Sequence, residues 1–318
     1  MKWHTWGSWT CCLIFLPLQL SAFELAAGLT PPGQQKITLG YTGLFHQQAD
    51  IAQDKASTSF QAFDFSIPVY KTEVESVAVS LNGSQLKVDP SQASPYSELY
   101  DLKVGLSYTR SVDEQRVWSI STRYGSASDK PFKDGSVNTI GATALYSFPR
   151  NETSRWLLLL DYSNNRPILN NIPLPGFAFF YYPSPQFRAV LGAPFASINW
   201  SFTDNMALDF FTLVPWIFKG SVSYKITEFA RLYTGLDFSQ ITYYLHGRQN
   251  DQDRLFYDEK KIFVGIKSPL SQTVFAELEL GHAFDRAFFI DENYTTNPDN
   301  PLELGNAYYA KLSLRARF

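Results

Sequence analysis

The sequence predicts an all-β chain folded as an antiparallel transmembrane β-barrel, with an even strand count of 12–16 and a best drawing of 16. Three observations predict it. Apolar and polar residues alternate with a period of two from Lys36 to the end, the pattern of strands with one apolar and one polar face. Aromatic residues make up 16% of the chain and charged residues 18%, below the usual quarter for soluble domains, yet mean hydropathy is slightly negative. Connections between the strands are short, then long, through much of the chain, as in barrels with short turns at one membrane face and long loops at the other.

The amino-terminus reads as a cleaved signal. Lys2 is a small positive region, Cys11 to Leu20 is a short apolar core, and Leu20-Ser21-Ala22 offers small residues for cleavage. Residues 1–22 are therefore assigned as signal peptide and 23–318 as the barrel domain, a retained apolar arm being the alternative. The apolar run is half of the roughly twenty residues a spanning helix needs. Cys11 and Cys12 lack the context of a lipid anchor and leave with the signal. Disulfide, thiolate and Cys-ligated metal chemistry leave with them.

Sixteen strands follow, near 37–46, 57–70, 74–82, 99–111, 116–124, 137–148, 155–164, 176–182, 187–192, 196–203, 206–214, 218–226, 230–246, 260–268, 273–284 and 307–318. The clearest alternations are Leu102, Val104, Leu106 and Tyr108 against Lys103, Gly105 and Ser107, and Val274, Ala276, Leu278 and Leu280 against Glu277 and Glu279. Tight connections fall at 149–154, 203–205, 227–229 and 269–272. Longer polar ones fall at 47–56, 82–97, 125–136, 247–259 and 285–306. The stretch from Pro173 to Pro215 is Pro-rich with short strands, and merging strands there gives the lower counts. The last two strands flank loop 285–306, so they should pair antiparallel; aligning Phe284 with Tyr308 sets Glu277 opposite Arg315.

The final strand ends in an aromatic residue. Leu312, Leu314, Ala316 and Phe318 share an apolar face; Lys311, Ser313, Arg315 and Arg317 share a polar one. This ending resembles that of bacterial outer-membrane β-barrels. The resemblance implies that Phe318, Ala316, Leu314 and Leu312 form the signal read by the barrel assembly machinery. A second stretch, Pro175 to Pro183 (PGFAFFYYP) with Phe187 and Gly192-Ala193-Pro194, resembles an uncharacterised family of outer-membrane barrels, a domain of unknown function. It implies the fold over most of the chain and no activity. Pro and Gly there read first as turn chemistry, and alternatively as a constriction tucked into the lumen.

Catalytic readings are thin. His46, His246 and His282 sit at strand–loop borders, and none lies in the His-x-Ser-Asn context of barrel phospholipases. His282 falls on the apolar face and reads as part of an interfacial girdle. Asp251, Asp253, Asp258 and Glu259 in one loop, and Asp291, Glu292 and Asp299 in another, lack a ligand-loop pattern and read as solvated acidic loops. No cofactor or metal is assigned. The net charge of −3 is too small to imply a nucleic-acid partner.

The polar face of the strands is the best candidate surface. Parity turns Lys36, Asp64, Lys103, Arg123, Asp161, Asp209, Lys225, Arg231, Asp237, Lys261, Lys267, Glu277, Glu279, Lys311, Arg315 and Arg317 toward a wet lumen. Phe211, Tyr233, Phe263 and Phe275 share that face. Charges of both signs on such a wall screen solutes; equally, they pair with one another and keep the wall hydrated. On this reading Asp237 and Glu279 face water and tolerate Arg, whereas Leu236 and Leu278 face lipid and do not. The expected function is passive passage of small solutes, apolar or aromatic ones included, across a bacterial outer membrane. A closed structural or surface-binding barrel is the alternative, and a lipid-modifying barrel enzyme a weaker one. Expected partners are outer-membrane lipids, lipopolysaccharide, the assembly machinery and the solute. A soluble β-sandwich fits the alternation alone.

Overall fold

The computed structural model describes residues 30–51, 54–90, 93–214 and 217–318. The expected signal peptide, residues 1–22, lies outside the described residues. Eighteen strands form one sheet. They are β1 (Thr38–His46), β2 (Ala49–Ile51), β3 (Asp54–Lys71), β4 (Glu75–Asp89), β5 (Glu98–Ser111), β6 (Val117–Ser128), β7 (Asn138–Asn151), β8 (Ser154–Ser163) and β9 (Leu174–Ser184). The rest are β10 (Phe187–Ala193), β11 (Phe195–Ser201), β12 (Met206–Leu213), β13 (Ile217–Thr227), β14 (Ala230–Tyr243), β15 (Arg254–Pro269), β16 (Val274–Asp291), β17 (Leu302–Leu304) and β18 (Ala307–Arg317).

β1 pairs with β3 on one side and β18 on the other, β16 pairs with β18, and each strand from β3 to β16 pairs with its successor. Sixteen strands thus close an antiparallel ring. The three-residue β2 and β17 pair with each other through Leu304 and Ile51 and extend the ring at its loop end. Closure leaves no unpaired edge, the condition for placing strands in lipid. The tight turns are held locally. Thr72 Oγ1 accepts the N–H groups of Val74 and Glu75, Asp113 Oδ1 those of Gln115 and Arg116, and Asn151 Oδ1 that of Thr153.

All sixteen strands drawn from the sequence have a counterpart. The loops are shorter than the alternation suggests. β4 runs on through Asn82 to Asp89, β15 starts at Arg254, and β16 continues to Asp291. These extensions stand near the loop end, where β15 and β16 carry consecutive apolar residues, Leu255 to Tyr257 and Phe288 to Ile290, so apolar side chains stand on both faces. The two-residue hydrophobic signal fades there while the backbone ladder continues.

The outer face is apolar around the ring. Leu39, Leu81, Val104, Ile120, Leu158, Leu191, Val222, Leu236, Val264, Leu280 and Leu312 are all exposed on it. Aromatic rows flank this band. Toward the tight turns, Trp156, Phe179, Tyr181, Phe187, Trp200 and Phe202 follow one another with ring centroids 4.9–6.4 Å apart. Toward the loops, His282 lies between Phe284 and Tyr308. An apolar band between aromatic rows on a closed barrel defines a transmembrane barrel of the bacterial outer-membrane class.

The wall is uneven. β3, β4, β15 and β16 have 18, 15, 16 and 18 residues, whereas β10, β11 and β12 have 7, 7 and 8. Segments at the loop end meet across the ring. β6 and β14 stand on opposite sides of the ring, yet Ser128 and Tyr244 form a parallel bridge, and the Tyr244 N–H donates to the Ala127 carbonyl at 2.7 Å. Nearby, Asn165 donates to the Thr242 carbonyl at 3.3 Å and the Tyr294 N–H to that of Pro167 at 2.9 Å. The mouth is crossed by protein, and the interior is divided in two.

The register of the last hairpin corrects the sequence reading. His282 faces Tyr308, Phe275 faces Arg315, and Glu277 faces Ser313. The shift of two residues keeps every side chain on its face. It sets Glu279 opposite Lys311, whose ammonium lies 2.6 Å from Glu279 and 3.1 Å from Glu277. Loop ends could not reveal this, because β16 runs on past a bulge where Asp258 faces Ala287 and Lys260 faces Phe284.

Candidate functional site: the divided lumen

One half of the interior is packed solid. Leu44, Phe60, Leu86, Val88, Leu99, Tyr243, Leu255, Tyr257, Phe263, Phe288 and Tyr309 form one buried cluster on the inner faces of β1, β3–β5, β14–β16 and β18. Buried charges run through it. Glu259 contacts Lys261, His46 Nε2 at 2.6 Å and Arg286 Nε at 3.6 Å, and accepts from the Tyr257 hydroxyl at 3.1 Å. Glu279 accepts from Lys311 at 2.6 Å, Tyr309 at 2.8 Å and Tyr233 at 3.0 Å. Each carboxylate meets several donors, the arrangement a buried charge needs.

The other half has a different wall. Leu145, Leu157, Ala178 and Phe195 form a second buried cluster on the inner faces of β7, β8, β9 and β11. Leu159, Phe180, Val190, Phe211 and Leu213 pack against it and are only partly buried. Together they make an apolar crescent on the low side of the barrel, facing the charged half.

The sequence-derived residues divide between these regions. Lys103 pairs with Asp101 at 2.6 Å. Asp161 joins Arg123 at 3.4 Å and Arg166 at 2.7 Å. Asp209 accepts from Asn199 at 2.8 Å, Lys225 meets Glu228 at 2.6 Å, and Arg231 donates to the Ser223 hydroxyl at 3.1 Å. Asp237 lies 3.3 Å from Lys219. Arg315 and Asp64 flank Gly40 in register; a Cβ on Gly40 would come within 2.2 Å of the Asp64 carboxylate, so the glycine gives that carboxylate its room. The apolar terminal face of Leu312, Leu314 and Phe318 is exposed. Lys36 precedes β1, outside the strands.

A wet wall is contradicted at four of these positions. Asp237, Lys261, Glu279 and Lys311 are 5%, 1%, 1% and 3% exposed. Facing the barrel axis is not facing water here, because the mouth segments and opposite strands fill that half. Glu279→Arg would bury a cation against Lys311 rather than present one to solvent.

The sequence reading placed His46 at a strand–loop border and gave it no partner. It ends β1 on the inner face, its Nδ1 2.9 Å from the Thr58 hydroxyl and its Nε2 on Glu259. Hydroxyl, imidazole and carboxylate in a row have the connectivity of a nucleophilic triad. Thr58, His46 and Glu259 are all buried, with Arg286 donating to the same hydroxyl, so the row is closed to substrate in this structure. The available signal was parity: Thr42, Leu44 and His46 share one face of β1, and a polar terminus to an inward row needs a buried partner. His246 sits in the mouth, 3.1 Å from Asp134. Among the described residues, no group of three His, Cys, Asp or Glu side chains is placed to hold a metal ion.

No protein-family model matches this chain, and no curated protein matches it. Solved structures similar to it include the COG4313 outer membrane channel from Pseudomonas putida F1, at 12% identity and TM-score 0.37, covering 92% of this chain and 98% of that one. The CymD monoaromatic hydrocarbon channel matches at 10% identity and TM-score 0.42 over 92% and 94% of the two chains. A Pseudomonas aeruginosa FadL homologue matches at 12% identity and TM-score 0.36 over 92% and 93%. At such similarity no residue role or substrate carries across.

Proposed function

We propose that this protein is a passive channel of the bacterial outer membrane that passes small solutes, apolar and aromatic ones included. One observation carries the reading: the inner wall of β7–β12 carries a partly accessible apolar crescent, while the inner faces opposite it hold a buried cluster. A structural barrel has no need of an apolar inner wall left partly open, since filling it adds stability. Solutes pass along the crescent, beside the charged half. The test is flux. Proteoliposomes holding the barrel should release benzyl alcohol and arabinose faster than empty liposomes, and planar bilayers should show unit currents. No flux and no current would return the protein to the closed structural reading. That second reading has its own support in the bridge between Ser128 and Tyr244 across the mouth.

The proposed partners are lipid on the outer band, lipopolysaccharide at the loop end, and the assembly machinery at the terminal strand. Phe318 is 59% exposed at the end of the outward row of Leu312, Leu314 and Ala316. Phe318→Asp is expected to lower assembled barrel in cell fractions several-fold with synthesis unchanged. A charge near the rim costs only about 0–1 kcal/mol of folding, so a large assembly defect identifies a recognition role. Equal assembly of variant and native chain would remove that role.

A further inference from the structure

The connection between β6 and β7 sorts its charges. Its sequence runs Asp129-Lys130-Pro131-Phe132-Lys133-Asp134. Both acids are tied to the mouth segment that follows β14. Asp129 accepts the His246 N–H at 2.8 Å, and Asp134 lies 3.1 Å from His246 Nε2. Arg248 donates to the Ser136 carbonyl at 2.8 Å and fastens the same connection. The two lysines are left out of these contacts. Lys130 and Lys133 are exposed, and neither forms an ion pair among the described residues.

Phe132 stands between them in sequence, 49% exposed, at a φ of 56°. A bulky residue rarely adopts this left-handed conformation, and holding it there costs stability. The turn is kept in that shape by the Phe132 N–H, which donates to the Ser126 hydroxyl at 3.2 Å, and the Lys133 N–H, which donates to the Lys130 carbonyl at 3.3 Å. The ring lies against Tyr124, with centroids 6.2 Å apart. Tyr124 belongs to the outer face, in register with Val104 and Ile140, and all three are exposed. A strained, exposed ring gains nothing in water. At the upper rim of the lipid-facing band it gains acyl chains, and cations beside it lie at the level of lipid headgroups.

We propose that this connection is a seat for lipid A, the phosphorylated glycolipid of the outer leaflet. Phe132 and Tyr124 pack on its acyl chains, and Lys130 and Lys133 meet its phosphates. The proposal gives the lipopolysaccharide partner a site and rests on the loop end lying in the outer leaflet. An ammonium group attracts phosphate as a point charge, most strongly where no carboxylate competes. Here both neighbouring acids are engaged by His246 instead.

The folded barrel in detergent is mixed with lipid A or with phosphatidylglycerol, and bound lipid is counted by native mass spectrometry. Lipid A should bind saturably, and phosphatidylglycerol about tenfold more weakly or less. Lys130→Gln and Lys133→Gln should each weaken lipid A about fivefold, and the double variant about twentyfold. Lys55→Gln, at an exposed lysine near the loop end of β3, should leave the affinity unchanged. Phe132→Asn should weaken lipid A about fivefold and leave the unfolding temperature where it was, since Asn accepts the left-handed conformation readily. A merely structural ring would give the reverse, a lower unfolding temperature with binding unchanged. The heat-shifted gel band certifies that each variant is folded. Equal binding of the two lipids, unchanged affinity in the double lysine variant, or an equal loss in Lys55→Gln overturns the proposal. The leaflet is judged separately, by labelling Lys133→Cys on intact cells with an impermeant maleimide. Labelled cells whose barrel shows no preference for lipid A lose this site and keep the orientation. Labelling only after lysis takes the loop end out of the outer leaflet, and the proposal falls with it.

Discussion

Glu259→Ala is expected to abolish the stable barrel, the largest single effect in this structure. Glu259 is 5% exposed and contacts His46, Lys261 and Arg286. Removing one partner of a buried ion pair costs about 3–5 kcal/mol, because the remaining charge stays buried and uncompensated. Here two cations and an imidazole lose their shared acceptor at once. The check is urea unfolding in detergent, followed by the heat-shifted gel band. Glu228→Ala is the control: its pair with Lys225 is largely solvent-exposed and is worth less than about 1 kcal/mol. Equal stability of the two variants would mean that the packed half of the lumen is not packed in solution.

Leu278→Arg should nearly abolish insertion into vesicles. Leu278 is 48% exposed on the outer face of β16, in register with Ile266 and Leu312, which are also exposed. A cation at the middle of the lipid-facing band costs about 2–4 kcal/mol. Glu279→Arg, one residue on, should fail for a different reason, since it sets a second cation beside Lys311 between Tyr233 and Tyr309. The two are separable. Adding Lys311→Glu should recover folding of Glu279→Arg by restoring an opposite pair. No partner swap should recover Leu278→Arg, whose penalty comes from lipid. Folded fraction in vesicles measures both. Normal insertion of Leu278→Arg would move the outer face off the bilayer.

Strand existence and facing were legible in the sequence because both are local. Leu278 and Glu279 declare opposite faces through their own side chains, and a lipid-facing strand repeats that statement at each pair of residues. The candidate site was legible only as a face. The parity of Asp237 and Lys261 says that they point inward. It does not say that Lys261 is sealed while Lys219 meets an apolar wall. The buried row of Thr58, His46 and Glu259 joins three different strands, and no spacing along the chain brings them together.

The sequence by itself determined an antiparallel barrel of even strand count, best drawn with sixteen, and its apolar exterior, because a two-residue period with no free edge has few other solutions in lipid; the structure settled the count at sixteen. Tertiary structure alone decided the register of β16 against β18, the length of the strands beyond the bilayer, and the bridge from Ser128 to Tyr244. Those depend on which groups meet across the ring. A buried Lys311 settles where two glutamates can reach it, and a mouth closes where opposite strands lean together. The mouth contacts join residues more than a hundred positions apart, and their energy exists only once the ring has closed.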